Sequence, residues 1–143
     1  VDLCNVTTIA DCAFWCCRSL ERVIWSTPSA VEIGDNAFCA CKSLEEIDLS
    51  NVTKIERGAF NICEALTRVA IPSSVVKIGE RAFYGCKNLE EVKLGEGIQH
   101  IGREAFSFCK GLARSSIAAS VTEMETAACR GGDDLSEVEL NEG

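Results

Sequence analysis

The chain has 143 residues, and 14 Lys and Arg against 22 Asp and Glu leave it a net charge of −8. Its 47% apolar and 25% charged residues suit a chain with a hydrophobic core and exclude intrinsic disorder. The acidic balance argues against a nucleic-acid groove or an anionic membrane surface, since both need clustered Lys and Arg.

One His, one Met and one Tyr leave little material for a catalytic site, and ten Cys stand out. The opening residues, Val1 to Ile9, carry no basic leader or long apolar stretch. No window approaches the ~18 uninterrupted apolar residues of a membrane helix, so direct membrane insertion is not expected. Val1-Asp2-Leu3-Cys4-Asn5-Val6-Thr7 matches Ile47-Asp48-Leu49-Ser50-Asn51-Val52-Thr53, which predicts a strand at the very start. Val138-Glu139-Leu140 repeats that strand frame near the end. Beginning with Val and lacking a recognisable polar cap at either end, the sequence reads as a processed product or a piece of a longer array.

Between these ends runs an internal repeat. Segments starting at Ile9, Ile33, Ile55, Ile78, Ile101 and Met124 recur at steps of 24, 22, 23, 23 and 23 residues. Each carries Ala four positions on, at Ala13, Ala37, Ala59, Ala82, Ala105 and Ala128. Phe14, Phe38, Phe60, Phe83 and Phe106 follow, with Cys129 in the last copy. Next come Cys17, Cys41, Cys63, Cys86 and Cys109, where Gly132 breaks the series, and then Leu20, Leu44, Leu66, Leu89, Leu112 and Leu135. A period of this length signals a solenoid in which each unit buries its apolar face against its neighbours. One array over residues 1–143, of about six units, is predicted.

Within a unit the period changes. Ala37, Cys41 and Leu44 recur at helical spacing and predict a short helix, with Phe38 broadening its stripe. Gly34, Gly79 and Gly102 precede it, where the chain is expected to change direction. Arg18, Lys42, Lys87 and Lys110 follow the Cys column and would complement the helix's negative end; Glu64 is the exception. After the Leu column the period drops to two. Ile47-Asp48-Leu49, Val69-Ala70-Ile71 and Val92-Lys93-Leu94 predict one short strand per unit in a parallel sheet. Pro72-Ser73-Ser74 and Gly95-Glu96-Gly97 supply the turns, and Val52, Val75, Ile98 and Val121 re-enter the core.

The string from Ile78-Gly79-Glu80-Arg81-Ala82-Phe83-Tyr84-Gly85-Cys86-Lys87-Asn88-Leu89 to Val92-Lys93-Leu94 resembles the BspA-type leucine-rich repeat, as does Val69 to Val75. The resemblance covers essentially the whole chain, through an AF-x-x-C-x-x-L spacing held in register five times. It implies an α/β leucine-rich-repeat solenoid, with a parallel β-sheet on one face and short helices on the other. It further implies a protein often exposed at a bacterial or protist surface, used for adhesion or protein binding, with no catalytic residues and no cofactor. Cys129, Gly132 and Ser115 depart from the pattern, so the C-terminal end is expected to pack less well.

The Cys17 column is read as buried small apolar residues. Cys4, Cys12, Cys16, Cys39 and Cys129 lie off it. No C-x2-C pair occurs, which argues against a metal site and leaves free thiols or a disulfide. Cys16 and Cys39, near-equivalent on adjacent units, are the candidate pair for a bridge. Trp25 replaces an inward apolar residue and is placed in the core; Trp15 and Tyr84 share one position beside the Phe column, where they either pack between units or anchor a partner.

On the strand face one column reads Arg22, Glu46, Arg68, Glu91, Arg114 and Glu137, alternating in sign. Two readings apply: a charge ladder that fixes register, or, together with Asp48 and Lys93, a polar recognition surface. Asn5-Val6-Thr7 and Asn51-Val52-Thr53 are N-glycosylation sequons at one phase of the repeat. His100 stands alone and reads as a turn residue; Asp133-Asp134 lacks calcium-loop spacing; no nucleophile or phosphate-loop motif occurs. The sequence therefore predicts a non-catalytic interaction or adhesion module at the cell surface or outside the cell, binding a protein or glycan. The alternative is a structural subunit that self-associates end to end into a filament.

Overall fold

Two strands, not one, form in each unit of the array. The computed structural model describes residues 1–25, 29–112, 114–117, 120–131 and 137–140, with backbone alone for 114–117 and 137–140. Its strands are β1 Thr8–Ile9, β2 Arg22–Val23, β3 Val31–Ile33, β4 Glu46–Ile47, β5 Val52–Ile55 and β6 Arg68–Ile71. The remainder are β7 Lys77–Ile78, β8 Glu91–Leu94, β9 His100–Ile101, β10 Arg114–Ile117, β11 Glu123–Met124 and β12 Glu137–Leu140. The odd-numbered strands up to β11 make one six-stranded parallel sheet in the order β1-β3-β5-β7-β9-β11. The even-numbered strands make β6-β8-β10-β12 and the pair β2-β4. The expected strand is thus the even set. The odd set comes from the residues that open each unit, with Ile9 opposite Ile33, Ile55 opposite Ile78 and Ile78 opposite Ile101. His100 lies in β9 rather than in a turn.

The expected helices do not form: among the described residues every stretch from the Ala column to the Cys column is a chain of turns. The physical reason is a pair of left-handed residues in each unit. Asn36 and Ala40 have φ of 53° and 60°, Gly58 and Ile62 63° and 59°, Arg81 and Gly85 55° and 69°. An α-helix cannot pass through such residues. Instead the amides alternate. Ala37, Cys39 and Cys41 donate back within the unit to Gly34, Asn36 and Phe38 at 3.3, 3.0 and 3.2 Å. Asn36, Phe38 and Ala40 donate to the next unit, to Arg57, Ala59 and Asn61 at 2.8, 2.8 and 2.7 Å. The backbone is satisfied across rungs where a helix would satisfy it along its own axis.

Turns four residues apart still point the same side chains inward, so the predicted core stands. Ala37, Phe38, Cys41 and Leu44 are fully buried, and so are their counterparts Ala59, Phe60, Cys63, Leu66 and Ala82, Phe83, Cys86, Leu89. Rings of the Phe column stack at 5.1, 5.5, 5.1 and 5.3 Å between centroids from Phe14 to Phe106. Each buried thiol donates to the Phe carbonyl of the preceding rung: Cys63 to Phe38 at 3.2 Å, Cys86 to Phe60 at 3.2 Å and Cys109 to Phe83 at 3.1 Å. A small apolar side chain with one weak donor fits that position.

Other expectations shift with the helix. Cys17 is exposed where burial was expected; unlike Cys41, Cys63, Cys86 and Cys109, it has no described rung on its N-terminal side to cover it. Gly79, at the junction of β7 and the following turns, also meets a close approach: a Cβ there would stand 2.4 Å from the Glu56 carbonyl carbon, so the rungs need its bare backbone. Trp25, placed in the core, is half-buried against its edge, and its indole N–H donates to the Asp48 carbonyl. At the other end Met124, in the inward column, is 43% exposed, while Ala128 is buried and Cys129 packs against the core. Gly132, Asp133-Asp134 and Leu135 lie outside the described residues.

Candidate interaction surface

The even strands position a charged column by register. Arg22 stands opposite Glu46, Arg68 opposite Glu91, and Arg114 opposite both Glu91 and Glu137. Alternation along each strand directs Val69, Ile71 and Val92 inward and leaves Arg68 and Ala70 outside. Arg22 Nε lies 2.9 Å from a Glu46 oxygen, with both side chains about two-thirds exposed at 66% and 65%. Arg68 Nε is 3.8 Å from Glu91, whose other oxygen takes Lys93 Nζ at 3.3 Å. The ladder expected from the sequence is therefore present at Arg22–Glu46 and Arg68–Glu91; for Arg114 and Glu137 the backbone register alone is described. Pairs this exposed add only ~0.2–1 kcal/mol each, so they bias register more than they stabilise the fold.

At the C-terminal ends of β4, β6 and β8 and the turns that follow them, an open groove of about 460 Å³ crosses three rungs. Asp48 and Ser50 form one wall, Ala70 and Pro72 the floor, and Lys93 and Gly95 the other wall. The Asp48 carboxylate is fixed by the Ser50 amide at 2.8 Å. A carboxylate and an ammonium thus line the same groove from rungs two apart. In the same outward column Ile24 is 45% exposed and bridges to Asp2. The sequence located Asp48 and Lys93, but not the groove, whose signal was the small or turn-forming set Ser50, Pro72 and Gly95.

The remaining candidates fall elsewhere. Asn5 is exposed in a turn and Asn51 is half-buried at the equivalent turn. All ten cysteines are free thiols. Cys16 and Cys39 sit on adjacent rungs, the Cys16 amide donating to the Cys39 carbonyl at 2.8 Å. Burial first, then the neighbouring Cys16 and Cys12, raise the Cys39 thiol's pKa. Burial also raises Cys41 to about 11 and holds Cys63 and Cys86 well above the usual thiol range. Trp15 is 61% exposed, whereas Tyr84 packs edge-on against Phe108 at 5.3 Å with the Arg81 guanidinium over its ring. His100 Nδ1 meets Glu123 at 2.8 Å. Among the described residues no three His, Cys, Asp or Glu side chains converge as metal ligands, and no helix is long and apolar enough to cross a membrane.

A solenoid of stacked parallel strands and turns, with inward Leu and Phe columns and a polar strand face, is the architecture of a leucine-rich repeat array. The chain belongs to the BspA type leucine-rich repeat family, whose pattern matches in six copies over residues 3–64 and 31–143. Among solved structures it is similar to a leucine rich cell surface protein from Faecalibacterium prausnitzii A2-165, with 35% identity and a TM-score of 0.89 over 96% of this chain and 38% of that one. It is also similar to the leucine rich repeat protein of T. pallidum, with 33% identity and a TM-score of 0.88 over 94% of this chain and 63% of that one. A leucine-rich repeat protein from Eubacterium ventriosum follows at 25% identity and a TM-score of 0.76, over 96% of this chain and 36% of that one. The chain therefore spans between about a third and two-thirds of the length of these relatives. None of the curated proteins matches it.

Proposed function

We propose that this chain is a non-catalytic adhesion module, displayed outside the cell, that binds a protein or glycan through its strand face. The observation that carries this reading is the open groove between Asp48 and Lys93, whose two ends carry opposite charges. Family membership supports an interaction surface, and similarity to the cell surface protein of F. prausnitzii supports display at the surface. A preorganised surface of this kind loses little conformational entropy on binding. The test is a screen against extracellular proteins and a glycan array, repeated with the double reversal Asp48→Lys/Lys93→Glu. Binding weakened by about tenfold or more, a cost of roughly 1.4 kcal/mol, supports the reading. Ligands retained undiminished by the reversed groove overturn it.

Surface display would also expose Asn5 and Asn51 to glycosylation in a cell with that machinery. A mass change on glycosidase treatment of the natively produced protein is the expected result; an unchanged mass removes the glycans from the proposal. End-to-end stacking into a filament is the second reading, supported by the rung-to-rung backbone hydrogen bonds that each unit offers to the next. Sedimentation over a wide concentration range separates the two, since a persistent monomer rules stacking out.

A further inference from the structure

Where the helices were expected, the linked turns raise a ridge along the array. Its rungs are locked in line, the Ile62 amide donating to the Tyr84 carbonyl and the Gly85 amide to the Ser107 carbonyl, each at 2.8 Å. The side chains that crown it are apolar. Trp15 is 61% exposed and Phe108 39%, while Ala40, Ile62 and Tyr84 are half-buried. Polar members of the same columns withdraw: Ser107 is fully buried, and Asn61 Oδ1 is buried as well. At ~4.8 Å per rung, the apolar line from Trp15 to Phe108 runs roughly 20 Å. Exposed aromatic side chains set in a row are the anchors that protein interfaces favour.

The flanks of the ridge identify the partner. On one side stand Arg18, Lys42, Glu64, Lys87 and Lys110, one per rung. On the other stand Asp11, Asp35, Arg57, Glu80 and Arg103. All are exposed or half-buried. On each of the first four rungs the two flanks carry opposite signs, and the third rung reverses both, with Glu64 across from Arg57. The fifth, with Lys110 and Arg103, is the exception. Such a surface is complementary to a copy of itself whose flanks are exchanged. A two-fold axis parallel to the solenoid exchanges them: like rungs face each other, Arg18 of one copy meets Asp11 of the other, and Lys87 meets Glu80. An antiparallel pairing would instead set Lys42 against Lys87 and Glu64 against Glu64, which repels. Within one copy Glu64 already pairs with Lys42 and Lys87, and Arg57 with Asp35. Pairs this exposed are weak enough to be shared across an interface. We infer that this ridge is the interface of a parallel homodimer, in which the apolar lines of two copies pack together and the exchanged flanks fix their register.

The test is analytical ultracentrifugation of the full chain from about 1 to 500 µM, in a reductant so that no disulfide joins two copies. The ridge is narrow, so a monomer–dimer equilibrium with a Kd on the order of 10–100 µM is expected, ending at two copies. Lys87→Glu and Glu80→Lys should each weaken it at least about tenfold, because each sets like charges face to face. Mixed in equal amounts, the two variants should recover the wild-type affinity as a heterodimer, in which one contact is native and the other is reversed on both sides. Trp15→Ser, at an exposed position, should weaken the dimer to a similar degree. The ridge lies apart from the strand-face groove, so the outcome is independent of the binding proposed there. Four results overturn the inference: the chain stays monomeric at the highest concentration, association continues past two copies, dimers persist undiminished in Lys87→Glu and Trp15→Ser, or the mixed variants fail to recover the dimer.

Discussion

The Glu64 carboxylate stands 3.1 Å from the Lys42 ammonium on the preceding rung. On the following rung Lys87 reaches the same oxygen at 3.4 Å. Glu64 stands between two cations of its column, and with no helix dipole in this segment its role is to bridge them. The hydrogen bond from Lys42 holds its carboxyl below the ordinary value of 4.5, aided by the charges of Lys42 and Lys87 and opposed by partial burial. A carboxyl with a lowered folded pKa binds more protons when unfolded, so its contribution is present above the ordinary value and lost as pH falls through the folded one. Glu64→Gln should cost ~0.2–1 kcal/mol per broken pair at neutral pH. In urea melts, the gap between variant and wild type should close below about pH 4. A gap that widens in acid contradicts this account.

The thiols divide by rung. Cys4, Cys12, Cys16 and Cys17 are exposed, whereas Cys41, Cys63, Cys86 and Cys109 are buried. With its pKa near 11, Cys41 is ionised in only about one molecule in a thousand at pH 8. Iodoacetamide on the native protein should label the exposed four quickly and the buried four only after unfolding, as read by peptide mass spectrometry. Alkylation in denaturant without reduction should label all ten. On mild oxidation with diamide we expect Cys16 and Cys39 to close first, since adjacent rungs at ~4.8 Å fall within the Cα separation a disulfide spans. A first bridge elsewhere would refute that pairing.

Two glycines one turn apart serve different ends. Gly85 has φ of 69°, and a Cβ there would meet its nearest atom, Ile62 Cγ1, at an ordinary 3.6 Å. Gly85→Ala should therefore cost only the backbone penalty of the left-handed region, about 1–2 kcal/mol. Gly79→Ala drives a Cβ to 2.4 Å from the Glu56 backbone, which cannot rotate away, and should cost about 3 kcal/mol or more. Chemical denaturation ranks the pair; equal losses would contradict the distinction.

These positions also explain what was legible in the sequence. Ala37, Phe38, Cys41 and Leu44 are inward at a spacing of about four, which a helix and a pair of linked turns produce alike. The distinguishing signal was Gly58, Gly85 and Gly131, each in a left-handed column whose other members include Asn36, Ile62 and Phe108. Because larger residues share those columns, the glycines do not line up and the pattern is diluted. The odd sheet was obscured for a related reason: β1, β7, β9 and β11 have two residues each, too few to display a period of two. The strand-face column was legible because Arg and Glu alternate at every rung.

Phe83 tests whether the rungs fold as one unit. Its ring is fully buried between Phe60 at 5.1 Å and Phe106 at 5.3 Å, and its carbonyl accepts the Cys109 thiol. Phe83→Ala removes both stacking partners' contacts and leaves a cavity that hydrogen-bonded rungs cannot easily collapse, at an expected cost of about 3–5 kcal/mol. Each unit touches only its neighbours, so the loss falls on the two interfaces beside the fourth rung. Loss of that coupling should replace a single urea transition with two, the segments on either side of Phe83 unfolding separately. Circular dichroism gives the overall curve, and Trp15 and Trp25 fluorescence reports the N-terminal segment alone. Coincident curves in Phe83→Ala, shifted to lower urea, would mean that the backbone ladders hold the array together without the aromatic stack.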